Sequence, residues 1–113
     1  MRKYLISLAT YMVATGISHA GIHDPTWNPP ARYDHAFAGK LTEMRLPHKQ
    51  VVKVCAKVLG TMNYKQHGCS YWNADRSECV IILTNKTYMK ATPKAVRRHE
   101  IGHCNGWPSN HPD

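Results

Sequence analysis

The residues best suited to chemistry lie near the C-terminus, where His99, Glu100 and His103 form the pattern His-Glu-x-x-His. Residues four apart on an α-helix lie one turn apart on the same face. His99 and His103 could therefore direct an imidazole nitrogen at one metal ion, at about 2.0–2.1 Å. Glu100 is adjacent to His99 in the sequence, so the two side chains are poorly placed to bind the same ion. Glu100 is instead well placed to contact a water molecule on that ion. A catalytic ion typically takes three protein ligands and water, so a third ligand is expected.

The chain that follows His103 indicates where the third ligand lies. Gly106 can adopt the left-handed conformation that ends a helix, and Pro108 prevents the helix from resuming. A chain reversed at Gly106 can bring His111 back to the ion, so His111 is the expected third ligand. An upstream ligand is the alternative, with His67 as the first choice. A fourth protein ligand would close the site, and its candidates are His67, His48, His35 and Asp113.

The flanking residues predict that this pattern lies on a helix. Thr92 followed by Pro93 is typical of an N-cap and a first helical position. Asn105 and Gly106 form a stop signal after the second histidine. These two signals mark the start and the end of a helix, and its length is the one that the metal-site hypothesis requires.

These residues resemble the zincin superfamily of zinc metallopeptidases. Within it they are similar to the extended form His-Glu-x-x-His-x-x-Gly-x-x-His/Asp of the metzincins and of small secreted bacterial peptidases. The likeness covers roughly the last fifteen residues. Ser109 stands where the extended form has its third ligand, His111 comes two residues later, and no Met follows the motif.

The resemblance implies a secreted zinc peptidase acting on a peptide or protein substrate. Zinc would be held by His99, His103 and His111, and Glu100 would be the general base. It also implies that a sheet packs against the motif helix and that a hairpin lines the cleft, where Tyr71, Trp72 and Tyr88 are candidate substrate or oxyanion contacts. Two alternatives remain open: a non-catalytic secreted zinc-binding module, and a basic envelope-binding or inhibitory module, stapled by disulfides, in which the motif is incidental.

The N-terminus has the features of a secretory signal peptide. Arg2 and Lys3 precede a largely apolar stretch from Tyr4 to Ile17, and Ser18-His19-Ala20 resembles a cleavage site. We therefore expect residues 1–20 to be removed on export to the periplasm or the extracellular space, with an uncleaved anchor as the alternative. The mature chain, 21–113, would be one domain that begins with an irregular arm, 21–39. His23 and His35 lie in this arm and are weaker metal-ligand candidates.

Four cysteines in a small exported chain predict two disulfides. We expect Cys69–Cys79 to tie a local hairpin and Cys55–Cys104 to tie one helix to the motif helix. The alternative role for Cys104, as a metal ligand, is disfavoured because its side chain points about 100° away from that of His103 on a helix.

The remaining patterns predict a small, disulfide-stapled α+β domain of minimal zincin-like form, with two main helices on a short antiparallel sheet. Residues 40–46 alternate as in a strand, and 80–83 form a continuous apolar run. Residues 69–79 indicate a hairpin with a polar turn at 73–77. A helix is expected to open at Pro47 and end at Gly60, with an apolar face of Val51, Val54, Cys55 and Val58.

The chain is strongly basic, with a formal net charge of +8 at pH 7. Such a balance favours contact with an anionic surface, such as envelope polymers, lipid headgroups or nucleic acid. Lys49, Lys53 and Lys57 form a stripe on the predicted first helix, which is either an anion-binding face or a solvated one. The sequence has no DNA-binding signature or phosphate-binding Gly-rich loop, and no motif supports a Ser or Cys nucleophile.

Overall fold

The computed structural model describes residues 27–113. The predicted signal peptide, its cleavage site and His23 lie outside the described residues. Among the residues described, no helix has the length and apolar character needed to cross a membrane.

Three strands form one small sheet with β3 at its centre. They are β1 (Lys40–Leu46), β2 (Gly68–Trp72) and β3 (Glu78–Thr84), in the order β1-β3-β2. The predicted hairpin is present, because β2 pairs with β3 in antiparallel fashion across residues 73–77. On the other edge, β1 pairs with β3 in parallel. The sheet is therefore mixed, whereas the sequence predicted an antiparallel one.

Two α-helices of twelve residues each accompany the sheet. Helix α1 (His48–Leu59) begins after Pro47 and ends at Gly60, which has a φ of 79°. Helix α2 (Pro93–Cys104) begins at Thr92, whose hydroxyl accepts a hydrogen bond of 3.1 Å from the Ala95 N–H. Both helices begin where their N-terminal signals predict.

The helices cover opposite faces of the sheet. Side chains alternate along β3, so Ile81 and Leu83 pack with Val96 of α2, whereas Val80 and Ile82 pack with Val51 of α1. A strand buried on both faces needs apolar residues at successive positions, which explains the continuous run at 80–83. The predicted fold class, a small disulfide-stapled α+β domain with two main helices on a sheet, is confirmed.

The disulfide pairing predicted from the sequence is wrong. The bonds are Cys55–Cys69, with a Cα–Cα distance of 5.8 Å, and Cys79–Cys104, at 5.9 Å. In the hairpin register Cys69 lies opposite Ile82, three residues from Cys79. Side chains on a strand alternate between faces, so Cys79, an odd number of residues from Ile82, lies on the face opposite that of Ile82 and Cys69. Cys69 therefore meets α1, Cys79 meets α2, and Cys55 and Cys104 are separated by the sheet.

The described part of the N-terminal arm packs against α2. The carboxylate of Asp34 pairs with the guanidinium of Arg98, and the Asn105 side-chain amide donates to the carbonyl oxygens of Tyr33 and His35. Pro29 is buried close to Gly102, which lies in the last turn of the motif helix. These contacts hold the arm beside the face of α2 that carries His99.

Candidate metal centre

Three imidazoles converge at one point. The Nε2 atoms of His99, His103 and His111 lie 3.2 Å from one another in all three pairs. His99 and His103 are one turn apart on α2, and His111 approaches from the segment that follows the helix. The structure thus brings together the three histidines that the sequence predicted as ligands, and together they could hold a metal ion.

The end of α2 directs the chain back towards the histidines. Gly106 has a φ of 110°, and its N–H donates to the carbonyl of His103, while the N–H of Trp107 donates to the carbonyl of Gly102, each at 3.0 Å. This pair of hydrogen bonds is the Schellman arrangement, which needs a residue without a Cβ penalty at the left-handed position. The predicted stop at Gly106 therefore reverses the chain.

A second turn completes the approach of His111. Its N–H donates to the carbonyl of Pro108 at 2.9 Å, and its own φ is 57°. A left-handed conformation is uncommon for a residue with a Cβ, although His adopts it more readily than most. The backbone here is held in a conformation that delivers the imidazole to the other two.

Backbone carbonyls fix the orientation of two rings. The Nδ1 of His99 lies 2.7 Å from the carbonyl oxygen of Trp27, and the Nδ1 of His103 lies 2.7 Å from that of Trp107. A carbonyl oxygen only accepts, so each Nδ1 carries the proton and each neutral ring presents an unprotonated Nε2. The two Nε2 atoms, each with a lone pair, lie 3.2 Å apart. A cation between them would stabilise this arrangement. Such outer contacts are typical of metal-bound histidines.

Indole rings form the walls of the site. Trp27 stacks on His99 with ring centroids 4.6 Å apart, and Trp107 stacks on His103 at 4.9 Å. Trp107 is only 2% exposed, and its Nε1–H donates to the carbonyl of Pro112. Burial lowers the pKa of His103, and the nearby His111 acts in the same direction, against the opposing effect of the Trp107 carbonyl. The neutral ring favoured in this way is the form that binds a metal.

Glu100 points towards the sheet rather than joining the cluster. Its carboxyl is buried, accepts a hydrogen bond from Ser70 of β2, and comes close to Gly68, where an added Cβ would lie 3.4 Å from Oε2 and 2.8 Å from Val96 Cγ1. Gly68 thus allows α2 to approach the edge strand closely. Burial raises the pKa of Glu100 to about 8, against the opposing effect of the Ser70 hydrogen bond.

None of the candidate fourth ligands in the described part of the chain belongs to the cluster, which consists of three histidines. His35 contacts the carbonyl oxygens of Arg32 and Ala36. His67 Nε2 contacts the carbonyl of Tyr88 at 3.1 Å, and His48 stacks on the Tyr88 ring. Asp113 lies beyond the third histidine and is exposed. Cys104 is committed to its disulfide.

The three aromatic candidates for substrate contacts have different surroundings. Tyr71 packs in the cluster on the α1 face of the sheet, away from α2. Tyr88 is half-buried between His48 and His67. Trp72, at the end of β2, is 38% exposed and lies under the guanidinium of Arg76. Trp72 alone of these three is exposed on the edge strand beside α2.

The residues that sequence reasoning missed are Trp27, Trp107 and Ser70. Trp27 and Trp107 act through their carbonyl oxygens and rings, and a backbone acceptor leaves no mark on residue type. The position of Ser70 could have been inferred from the sequence. Side chains alternate along β2, so Ser70, next to Cys69, lies on the face opposite α1.

Comparisons of this chain with models of protein families, with curated proteins and with solved structures found no significant match.

Proposed function

We propose that the protein is a zinc-dependent peptidase. The observation that carries the proposal is the convergence of three Nε2 atoms at 3.2 Å, two of them oriented by carbonyl acceptors, with no fourth ligand in the described residues. Structural zinc sites are almost always closed by four protein ligands, whereas catalytic sites have three and an open position. Counted over residues 27–113, the site has the ligand number of the catalytic class.

The donor set and its spacing fit zinc. Two nitrogens each about 2.0–2.1 Å from a tetrahedral ion lie about 3.3–3.4 Å apart, close to the 3.2 Å between the Nε2 atoms. Neutral imidazole is a ligand that suits zinc, although copper, iron and nickel also accept it. When bound, zinc would supply a Lewis acid and would lower the pKa of a coordinated water to about 7.

Glu100 is the residue proposed to move the proton. It follows His99 on α2 and lies outside the ligand cluster. With the positive charge of a bound zinc ion favouring its ionised form, its carboxyl group would accept a proton from the attacking water and deliver it to the leaving amine. Its burial against Ser70 excludes bulk water from the carboxyl group and fixes its position. A carboxyl group with a pKa of about 8 is mostly protonated at neutral pH, and the positive charge of a nearby zinc ion would lower that pKa.

The edge strand β2 is the proposed docking site for the substrate backbone. In the described structure β2 pairs on one side only, with β3, and it lies beside Glu100. An extended peptide can add to such an edge through main-chain hydrogen bonds. The exposed ring of Trp72 would then lie near the end of the bound peptide.

The two disulfides indicate an oxidising compartment. We propose that residues 1–20 are a cleaved signal peptide and that the enzyme acts in the periplasm or outside the cell. Its substrates would then be peptides or proteins of that compartment.

The test replaces Glu100 without touching the ligands. Glu100→Gln should keep the wild-type zinc content but lose hydrolysis of a library of fluorescence-quenched peptides by at least about 100-fold, the lower range for loss of a general base. Glu78→Gln, which removes a carboxylate at the hairpin turn, is the matched control and should retain activity. Loss of zinc in Glu100→Gln would mean that the carboxylate is a ligand. Wild-type protein that holds zinc and cleaves no library peptide would favour the non-catalytic zinc-binding module.

A further inference from the structure

The outer face of α1 is strongly basic. Lys49, Lys53 and Lys57 recur every fourth residue, are all exposed, and lie opposite the buried residues of the helix. The ion pairs of the described residues all involve arginine, so no lysine is neutralised by a carboxylate there. Residues 44–74 contain no Asp or Glu. The positive charge of this face is therefore uncompensated locally.

Large apolar side chains are exposed where this helix ends. Leu59 and Met62 are each 49% exposed, and Tyr64 is 76% exposed. They lie at the last residue of α1 and in the exposed loop that follows, next to Lys65. Exposed hydrophobic residues grouped beside uncompensated lysines are typical of proteins that lie on an anionic membrane surface.

We propose that the α1 face and the loop after it, residues 48–65, bind an anionic phospholipid bilayer. The lysine ammonium groups would contact lipid phosphates while their aliphatic stems, together with Met62 and Tyr64 of the loop, enter the headgroup region. The lysines alone would fit any polyanion, and the exposed apolar residues are what favour lipid over nucleic acid. Because α1 and α2 cover opposite faces of the sheet, this orientation leaves the metal centre on the layer away from the bilayer.

The first experiment measures co-sedimentation of the full exported protein with vesicles. Vesicles of a zwitterionic phospholipid containing about 30% phosphatidylglycerol should bind it, and vesicles lacking the anionic lipid should not. Each lysine near such a surface contributes roughly five-fold to the affinity. The triple variant K49Q/K53Q/K57Q should therefore bind about 100-fold more weakly, with metal content and circular dichroism unchanged.

A charge-matched control tests whether the face matters. K40Q/K90Q/K94Q removes the same charge from exposed positions outside α1 and should bind within a few-fold of wild type. Equal loss in the two triple variants would overturn the proposal, because binding would then depend only on total charge.

A third variant distinguishes lipid from other polyanions. M62S/Y64S should lower vesicle binding by about ten-fold and leave binding to inorganic polyphosphate unchanged. Binding of wild-type protein to duplex DNA or polyphosphate, without binding to the anionic vesicles, would also overturn the proposal.

Discussion

At the scale of single residues, the site depends on His111. Its φ of 57° is costly for a residue with a side chain, by about 1–3 kcal/mol, and such strain persists where the surroundings hold it. Here the Schellman turn at Gly106 and the hydrogen bond to Pro108 hold the backbone. As a result, the Nε2 atom of His111 lies 3.2 Å from the Nε2 atom of each of the other two histidines.

His111→Ala should therefore weaken metal binding by more than about 100-fold. Loss of a ligand should exceed loss of an outer-shell partner, which costs about 10–100-fold. Titration against a chromophoric zinc chelator measures the affinity, and His35→Ala, which removes an exposed histidine outside the cluster, is the control. Equal zinc affinities of His111→Ala and wild type would mean that the third ligand lies upstream of His99 in the chain.

The three-histidine cluster was predictable because helical spacing alone brings His99 and His103 onto one face, and Gly106 marks a reversal of the chain. The carbonyl acceptors were not predictable, because Trp27 meets His99 only through tertiary packing across seventy-two residues. Residue type carries no information about where a main-chain oxygen will lie.

At the scale of elements, the two disulfides have different positions relative to the site. Cys79–Cys104 joins the central strand to the last residue of α2, next to His103, whereas Cys55–Cys69 joins α1 to the edge strand on the other face. The first fixes the end of the helix from which the chain turns back to His111.

Removing each bridge should separate stability from metal binding. Both Cys55→Ala/Cys69→Ala and Cys79→Ala/Cys104→Ala should lower the free energy of unfolding by about 3 kcal/mol, as expected for loops of these lengths. Only the second pair should also weaken zinc affinity, because it releases the C-terminal end of α2. Denaturant unfolding and zinc titration of the two variants make the comparison. Equal zinc affinity in both would show that the Schellman turn positions His111 without the disulfide.

The bounds of the two helices followed from local signals, such as Thr92-Pro93 and Gly60, whereas the pairing of cysteines did not. The turn at 73–77 was predicted, yet the register that it produces puts Cys69 opposite Ile82 and not opposite Cys79. The pairing also required knowing that the helices lie on opposite faces. The apolar run at 80–83 carried that information, since a strand covered on one face only would alternate.

At the scale of the whole molecule, one carboxylate joins the far edge of the sheet to the motif helix. Glu43 of β1 pairs with Arg97 of α2 and with Arg45. Burial raises the pKa of Glu43, but the hydrogen bonds and positive charges of Arg97 and Arg45 outweigh that effect and lower it below its ordinary value of 4.5. A carboxyl whose pKa is lowered by folding stabilises the protein above its unfolded pKa, and that contribution is lost as the pH falls through the folded pKa.

The free energy of unfolding should accordingly decrease as the pH falls below about 4.5, and Glu43→Gln should reduce this dependence. Chemical denaturation at several acidic pH values measures it. Glu78→Gln, which removes a carboxylate from the start of β3, serves as the control and should retain the wild-type dependence. An identical pH profile for Glu43→Gln and wild type would mean that other carboxylates dominate acid unfolding.

Metal content and coordination of the purified exported protein test the proposed centre most directly. Elemental analysis should find about one zinc ion per chain, and X-ray absorption at the zinc edge should show three imidazole nitrogens at about 2.0–2.1 Å and one light oxygen ligand. Protein that binds no metal, or a zinc ion closed by four protein ligands, would contradict the proposal of a catalytic zinc site.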